Sequence, residues 1–249
     1  MTEFRNYATK HLNLSGTLVD DVINHQNKQK NNIESYLTPM VLEERTLNVT
    51  QLSVFDRLLF DRILWVSGVV DDRMCDIIQA QLLYLESTDS KKDITMMLSS
   101  PGGSVLNGLG IRDLMNYIKP DVAVTNVGLA ASMGSILLSS AQPKKRYSLI
   151  NSKVMIHHVS SGTSGVIDDQ RISLMEAEKY NYMLFKILAE NCNKTFDEVY
   201  EAANRDKWFN SQEALEFGLI DEIIGLDKNK SVSQMMEGFD EYYQKYIMK

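Results

Sequence analysis

Asp93-Ile94-Thr95-Met96-Met97-Leu98 runs directly into Ser99-Ser100-Pro101-Gly102-Gly103, a β-type run stopped by a Pro-Gly-Gly turn. A helical pattern follows over residues 104–118 and a second β run over Val122–Val127, so the stretch reads as one strand-helix-strand unit. The same unit extends in both directions. Upstream lies a strand at Arg62–Ser67 with a helix near 71–86; downstream lie a helix near 131–141 and a strand at Lys153–His157. Successive strands are roughly 30 residues apart, the length a βαβ crossover needs. The expected class is α/β, with a largely parallel sheet of repeated βαβ units.

Further along, Ile172, Met175, Tyr182, Met183, Leu184, Ile187 and Leu188 recur at helical spacing, which predicts a long helix over Asp168–Asn191 with one apolar face. Thr195-Phe196-Asp197-Glu198 is a capping box that starts another helix, and Ser211–Phe217 followed by Gly218 reads as a short helix closed by glycine. The segment up to Tyr36 carries the polar run Asn24–Asn32 and no apolar period, so residues 1–36 read as a flexible extension. Residues 37–227 read as the folded domain and 228–249 as a polar tail.

With 249 residues, 44% hydrophobic and 24% charged, the chain is long and apolar enough for a core without disulfide staples. Its 26 Lys and Arg are outnumbered by 33 Asp and Glu, and a net charge of -7 leaves no basic surface for nucleic acid. Cys75 and Cys192 stand without any Cys/His cluster, which excludes a zinc motif and reads as two buried free thiols. No run approaches the roughly 18 apolar residues of a membrane span. A cytoplasmic location is expected.

Nucleotide motifs fail. Gly103 and Gly108 have the outer spacing of a P-loop, but Leu109 stands where lysine must reach the phosphates. Gly108-Leu109-Gly110 opens a dinucleotide fingerprint, yet Asp113 takes its last glycine position. Chemistry concentrates instead at Gly128-Leu129-Ala130-Ala131-Ser132-Met133-Gly134, between a β run and an apolar helix. Small residues there permit a sharp turn that presents the Ser132 hydroxyl at a helix start, although capping is the commoner role of such a serine. A hydroxyl nucleophile needs a base. Of His11, His25, His157 and His158, only the last two end a β run, and adjacent strand residues face opposite ways, so one of them can meet Ser132. Asp168, Asp169, Asp197 and Asp206 are all candidates to orient the imidazole. The Pro101-Gly102-Gly103 turn exposes backbone N–H groups suited to an oxyanion.

Taken together, these segments resemble the ClpP family, the proteolytic subunits of ATP-dependent Clp proteases, which are serine peptidases on a crotonase-like fold. The likeness runs from Leu37-Thr38-Pro39-Met40-Val41 to Gly218-Leu219-Ile220-Asp221, and Ser-Pro-Gly-Gly, Ala-Ala-Ser-Met-Gly, Met-Ile-His and Arg-Asp occur in the family's order. The resemblance implies a protruding helical handle at 168–191, Ser132 as nucleophile, His157 as general base and Asp206 as the orienting carboxylate. It puts the oxyanion-hole N–H groups at Gly103 and Met133. It further implies a homo-oligomer of two stacked heptameric rings and unfolded protein substrates fed by an AAA+ unfoldase of the ClpX or ClpA type. That partner uses the ATP; no cofactor or metal is expected in this chain, and the extension is expected to be a propeptide.

Some positions depart from the family pattern. His158-Val159 stands where Gln-Pro is usual, Ser160–Gly165 differs from a glycine-rich strand, and Asn204 sits where an acidic residue usually accompanies Arg205. Thr95 and Met97 replace tyrosines of the ATPase docking pocket, and Asn48-Val49-Thr50 replaces Gly-Glu-Arg. Two competing functions are a non-catalytic ring subunit and a crotonase-type acyl-CoA hydratase or isomerase.

Overall fold

The computed structural model describes residues 15–16, 40–45, 48–225 and 238–248. The chain divides into two compact units, Met1–Asp61 and Arg62–Lys249. In the first, β1 (Met40–Arg45) and β2 (Asn48–Ser53) form an antiparallel hairpin with Met40 opposite Ser53. Ser53 then caps α1 (Val54–Phe60), its hydroxyl accepting the Asp56 N–H while the Asp56 carboxylate accepts from the Ser53 backbone. Apart from Ser15 and Gly16, the expected extension lies outside the described residues, as do residues 226–237.

The second unit is a seven-stranded sheet with helices between its strands. In chain order it contains β3 (Ile63–Ser67), α2 (Asp72–Thr88), β4 (Ile94–Ser100), α3 (Val105–Tyr117), β5 (Val122–Ala131) and α4 (Met133–Ser139). There follow β6 (Arg146–Leu149), β7 (Lys153–Ile156), α5 (Ile167–Cys192), α6 (Phe196–Ala202), β8 (Lys207–Phe209), α7 (Ser211–Phe217), β9 (Glu222–Ile224) and α8 (Phe239–Tyr246). The sheet order is β3-β4-β5-β6-β9, with β7 on β5 and β8 on β7, and only the β7–β8 pairing is antiparallel. The expected α/β class with a largely parallel sheet holds.

Sequence and structure agree on the strands read from periodicity, and they differ where periodicity is too short to read. β6, β8 and β9 have four, three and three residues, at or below the shortest length over which alternation can be read. α4 is buried at all seven positions, its two serines bonding to carbonyls of the preceding turn, and it is the central helix of the core. It packs on β4, β5, β6 and β7 and between α3 and α5. The apolar residues of the long helix α5 divide along its length, as a protruding handle requires. Leu184, Ile187 and Leu188 are buried, but Ile172 and Met175 remain 62% and 61% exposed, because the first half of α5 projects beyond the core. The tail read as polar contains α8, whose Phe239, Tyr242, Tyr243 and Tyr246 rings meet along one side.

One ion pair ties the ends of three elements together. Arg146 on β6 donates from Nε to Asp221 Oδ2 at 2.9 Å, and from Nη1 to the carbonyls of Asn191 at 2.8 Å and Gly218 at 2.7 Å. Those carbonyls end α5 and follow α7, where no intrahelical partner exists. Burial alone would push the Asp221 carboxyl up, but the Arg146 guanidinium outweighs it and holds the group below its ordinary value. Arg146→Ala is expected to cost about 3 kcal/mol and lower the melting temperature by about 6–10 °C at neutral pH, read by thermal denaturation. A depressed carboxylate stabilises above its unfolded pKa and loses that contribution as pH falls through the folded one, so the gap between the two proteins narrows in acid.

Candidate active site

β5 serves two partners on one edge. Val124–Asn126 pair with Arg146–Ser148 of β6, and Leu129–Ala131 pair with Lys153–Met155 of β7. Between the two halves the register with β4 slips, from Leu98 opposite Asn126 to Ser100 opposite Ala130. Asn126 fills the irregularity. Its fully buried side chain donates to the Lys153 carbonyl at 2.9 Å and accepts the Gly128 N–H at 3.2 Å. The strand therefore runs on through Ala131, past Val127 where the β run was expected to end, and the reversal falls on Ser132.

Since Ala131 lies level with Met155, the residue after each strand end comes into reach of the other. Ser132 N–H donates to the Met155 carbonyl at 2.9 Å. Its backbone is held at φ 53° and ψ -120°, and its hydroxyl makes no cap bond. Such a conformation costs a non-glycine residue about 1–3 kcal/mol. The hydroxyl instead meets His157 Nε2 at 2.8 Å. The neighbouring His158 does not meet the serine; its ring stands edge-on to Phe185 and Tyr200 with ring centroids 4.8 Å away in each case.

The third group comes from β8. Its antiparallel register sets Lys207 opposite Ile156, so one step further Asp206 lies opposite His157. The Asp206 carboxylate is 3.4 Å from His157 Nδ1, with side-chain exposures of 64% and 23% respectively. The arrangement favours a proton on Nδ1 and leaves the Nε2 lone pair for the Ser132 O–H. The other carboxylates left open by spacing are elsewhere: Asp168 pairs with Arg171, and Asp169 and Asp197 lie in the first turns of α5 and α6.

Gly103 and Met133 flank the serine. Val70 N–H donates to the Gly102 carbonyl at 2.9 Å and the Val70 carbonyl accepts from Ser104 N–H at 2.8 Å. In a parallel bridge of this kind the facing residue, Gly103, turns its own N–H away from Val70. Met133 N–H is the first of α4 and has no intrahelical acceptor. Ser100 anchors the turn, its hydroxyl donating to the Gly68 carbonyl at 2.7 Å and accepting the Gly102 N–H at 3.1 Å. At Gly102, φ is +91°, and a Cβ there would stand 2.6 Å from Ser132 Cβ and 2.9 Å from Met133 N. Only glycine lets the turn lie this close to the serine.

A cleft of about 210 Å³ opens beside Ser132 and His157, and Gly103 and Met133 also line it. Its apolar wall includes Ile136, Ile156, Leu184, Phe185 and Leu188. Sequence reading missed the α5 contribution, although Asn181, Leu184, Phe185 and Leu188 share one helical face by their i, i+3, i+4, i+7 spacing. Neither cysteine competes as a nucleophile: both are buried and free, and burial pushes the Cys192 thiol up to about 11. Among the described residues, no group of three or more His, Cys, Asp or Glu is arranged to hold a metal ion, and no helix is long and apolar enough to cross a membrane.

A family model described as Clp protease matches residues 46–227, a span that contains Ser132, His157 and Asp206. The chain belongs to the Clp protease family. It is similar to the ATP-dependent Clp protease proteolytic subunit of Bacteroides thetaiotaomicron, 46% identical over 224 residues that cover 90% of this chain and 99% of that protein. The subunit of the same name from Porphyromonas gingivalis is 43% identical over 230 residues, 92% of this chain and 100% of that protein. As a Clp protease, the chain is a serine-type endopeptidase on the ClpP fold, and its glycine turn can be tested by the activity. Gly102→Ala is expected to lower kcat for a short fluorogenic peptide about 100-fold, since a shift of Ser132 by a fraction of its contact distance misaligns attack. Active-site titration with a fluorophosphonate checks whether Ser132 itself has lost reactivity.

Proposed function

We propose that Ser132 is the nucleophile, His157 the general base and Asp206 the residue that orients His157, in the hydrolysis of peptide bonds through an acyl-enzyme. Ser132 Oγ attacks the scissile carbonyl as its proton passes to His157 Nε2; the imidazolium then protonates the departing amine as the C–N bond breaks. Water enters by the same route in reverse and releases the acyl group. Gly103 N–H and Met133 N–H receive the oxyanion. The observation that carries this reading is the 2.8 Å contact between the Ser132 hydroxyl and His157 Nε2, made by a serine in a strained turn that its own capping does not need. An acyl-CoA hydratase or isomerase has no use for such a serine, and a non-catalytic subunit has no reason to keep it aligned.

The cleft favours an apolar side chain next to the scissile bond, since its α5 wall is Leu184, Phe185 and Leu188. The chain works in the cytoplasm as two stacked heptameric rings, with α5 as the stacking element; the exposed Val166, Ile167, Ile172, Leu174 and Met175 along its first half support this part of the reading. Folded proteins reach the site only through a separate AAA+ ATPase of the ClpX or ClpA type, because no P-loop is present in the sequence. The extension up to Tyr36 is a propeptide.

Ser132→Ala and His157→Ala are each expected to lower kcat for short peptides by about 10³-fold or more, measured on assembled protein of unchanged size. Asp206→Asn should lose less than either, because its carboxylate is mostly solvated. His158→Ala is not expected to abolish activity and loses far less than His157→Ala, because its ring does not meet Ser132. A dead His158→Ala beside an active His157→Ala would reassign the base, and ATP-driven degradation of a folded protein by this chain alone would remove the need for a partner.

A further inference from the structure

Beyond Ile156 the chain leaves β7, and what holds it there comes from another element. Asn181, on α5, faces the residues that follow His157. Its Oδ1 accepts the Val159 N–H at 3.0 Å, and its Nδ2 lies 3.0 Å from His158 Nδ1. These two contacts set the hydrogen-bonding role of His158 Nδ1. A backbone N–H can only donate, so the atom facing Val159 must be the amide oxygen. The atom facing His158 is then the NH2 group, and His158 Nδ1 must be an unprotonated acceptor. The ring is also held edge-on by Phe185 from α5 and Tyr200 from α6. Both sides of the amide are thus engaged with the two residues directly after His157, while the same asparagine borders the cleft that Ser132 and His157 share.

We propose that Asn181 is a positioning residue of the reaction: its amide clamps the His158 ring and the Val159 backbone, and through them fixes His157 at hydrogen-bonding distance from Ser132. The proposal rests on His157 being the general base. His157 lies at the strand end, its ring a quarter exposed and its carboxylate partner largely in solvent, so the backbone on its far side supplies much of its rigidity. An amide bridging one backbone N–H and one ring nitrogen does this without introducing a charge beside the imidazole.

The test uses the full-length assembled protein with Asn181→Leu, Asn181→Asp and Asn181→Ala, and His157→Ala in parallel. Leucine keeps the branching and heavy-atom count of asparagine but neither hydrogen bond. A carboxylate keeps the acceptor for Val159 N–H and accepts from His158 once the ring carries its proton on Nδ1. The expected result is a fall in kcat of about 10- to 100-fold for Asn181→Leu and Asn181→Ala with little change in KM. A parallel drop in the rate of Ser132 labelling by a small fluorophosphonate is expected, as is recovery of most of both losses in Asn181→Asp. Asn181→Leu at wild-type kcat would show that the side chain only fills space and overturns the proposal. Asn181→Asp as slow as Asn181→Ala, or a loss confined to KM, does the same, the latter marking a direct substrate contact. If Asn181→Leu fails to assemble, the Ala and Asp variants alone give the comparison. Full activity in His157→Ala would overturn the base assignment and the clamp together, whereas a dead His157→Ala beside an unaffected Asn181→Leu removes the clamp and leaves the base in place.

Discussion

The change of partner along β5 is the constraint on which the site depends. A strand of uniform pleat keeps one neighbour per edge, whereas β5 pairs with β6 over Val124–Asn126 and with β7 over Leu129–Ala131 on the same edge. The slip in its register with β4 makes room for this. Buried Asn126 then satisfies backbone groups that the slip would leave unpaired, and Ser152 Oγ donates to the Asn126 carbonyl at 3.0 Å from the β7 side. Only after this change can the ends of β5 and β7 lie side by side. Ser132 and His157 are the residues that follow those two ends.

Strain at Ser132 is sustained by what surrounds it. The serine carbonyl accepts from the Ser135 N–H at 2.9 Å and the Ser135 hydroxyl at 2.7 Å, so its ψ is fixed from the helix side. Its N–H is fixed from β7, and the Gly102 turn closes on its Cβ. Behind it stands α4, buried along its whole length and unable to shift without moving the sheet. The hydroxyl is left as the one group of Ser132 not used to hold the fold, and it points at His157.

How much of this could be read from residues follows from the range of each interaction. Residues alone single out Ser132 at a helix start, where capping is the commoner role, and the pair His157 and His158 at the end of a β run, where open α/β sheets place chemistry; the choice of His157 came from the resemblance. Asp206 was not separable from Asp168, Asp169 and Asp197 by spacing. Its place depends on β8, three residues whose antiparallel register on β7 leaves no pattern in the sequence. Asn126 was invisible for a related reason: a buried amide inside an apolar run signals a bulge only when the partner strands are known. For α5, apolar spacing marks a face without saying whether that face meets its own core or projects from it, and the projection of its first half was implied by the family resemblance alone.

Helix α5 therefore carries two jobs at different points along its length, and the division is physical. Its first half presents apolar residues to the outside, while its second half enters the core and supplies Leu184, Phe185 and Leu188 to the cleft wall. Asn181 sits where the two halves meet, one turn before the buried stretch, with its amide on the two residues that follow His157. One helix thus brings together the exposed apolar residues of its projecting half, the amide that holds the two residues after His157, and the apolar wall of the cleft.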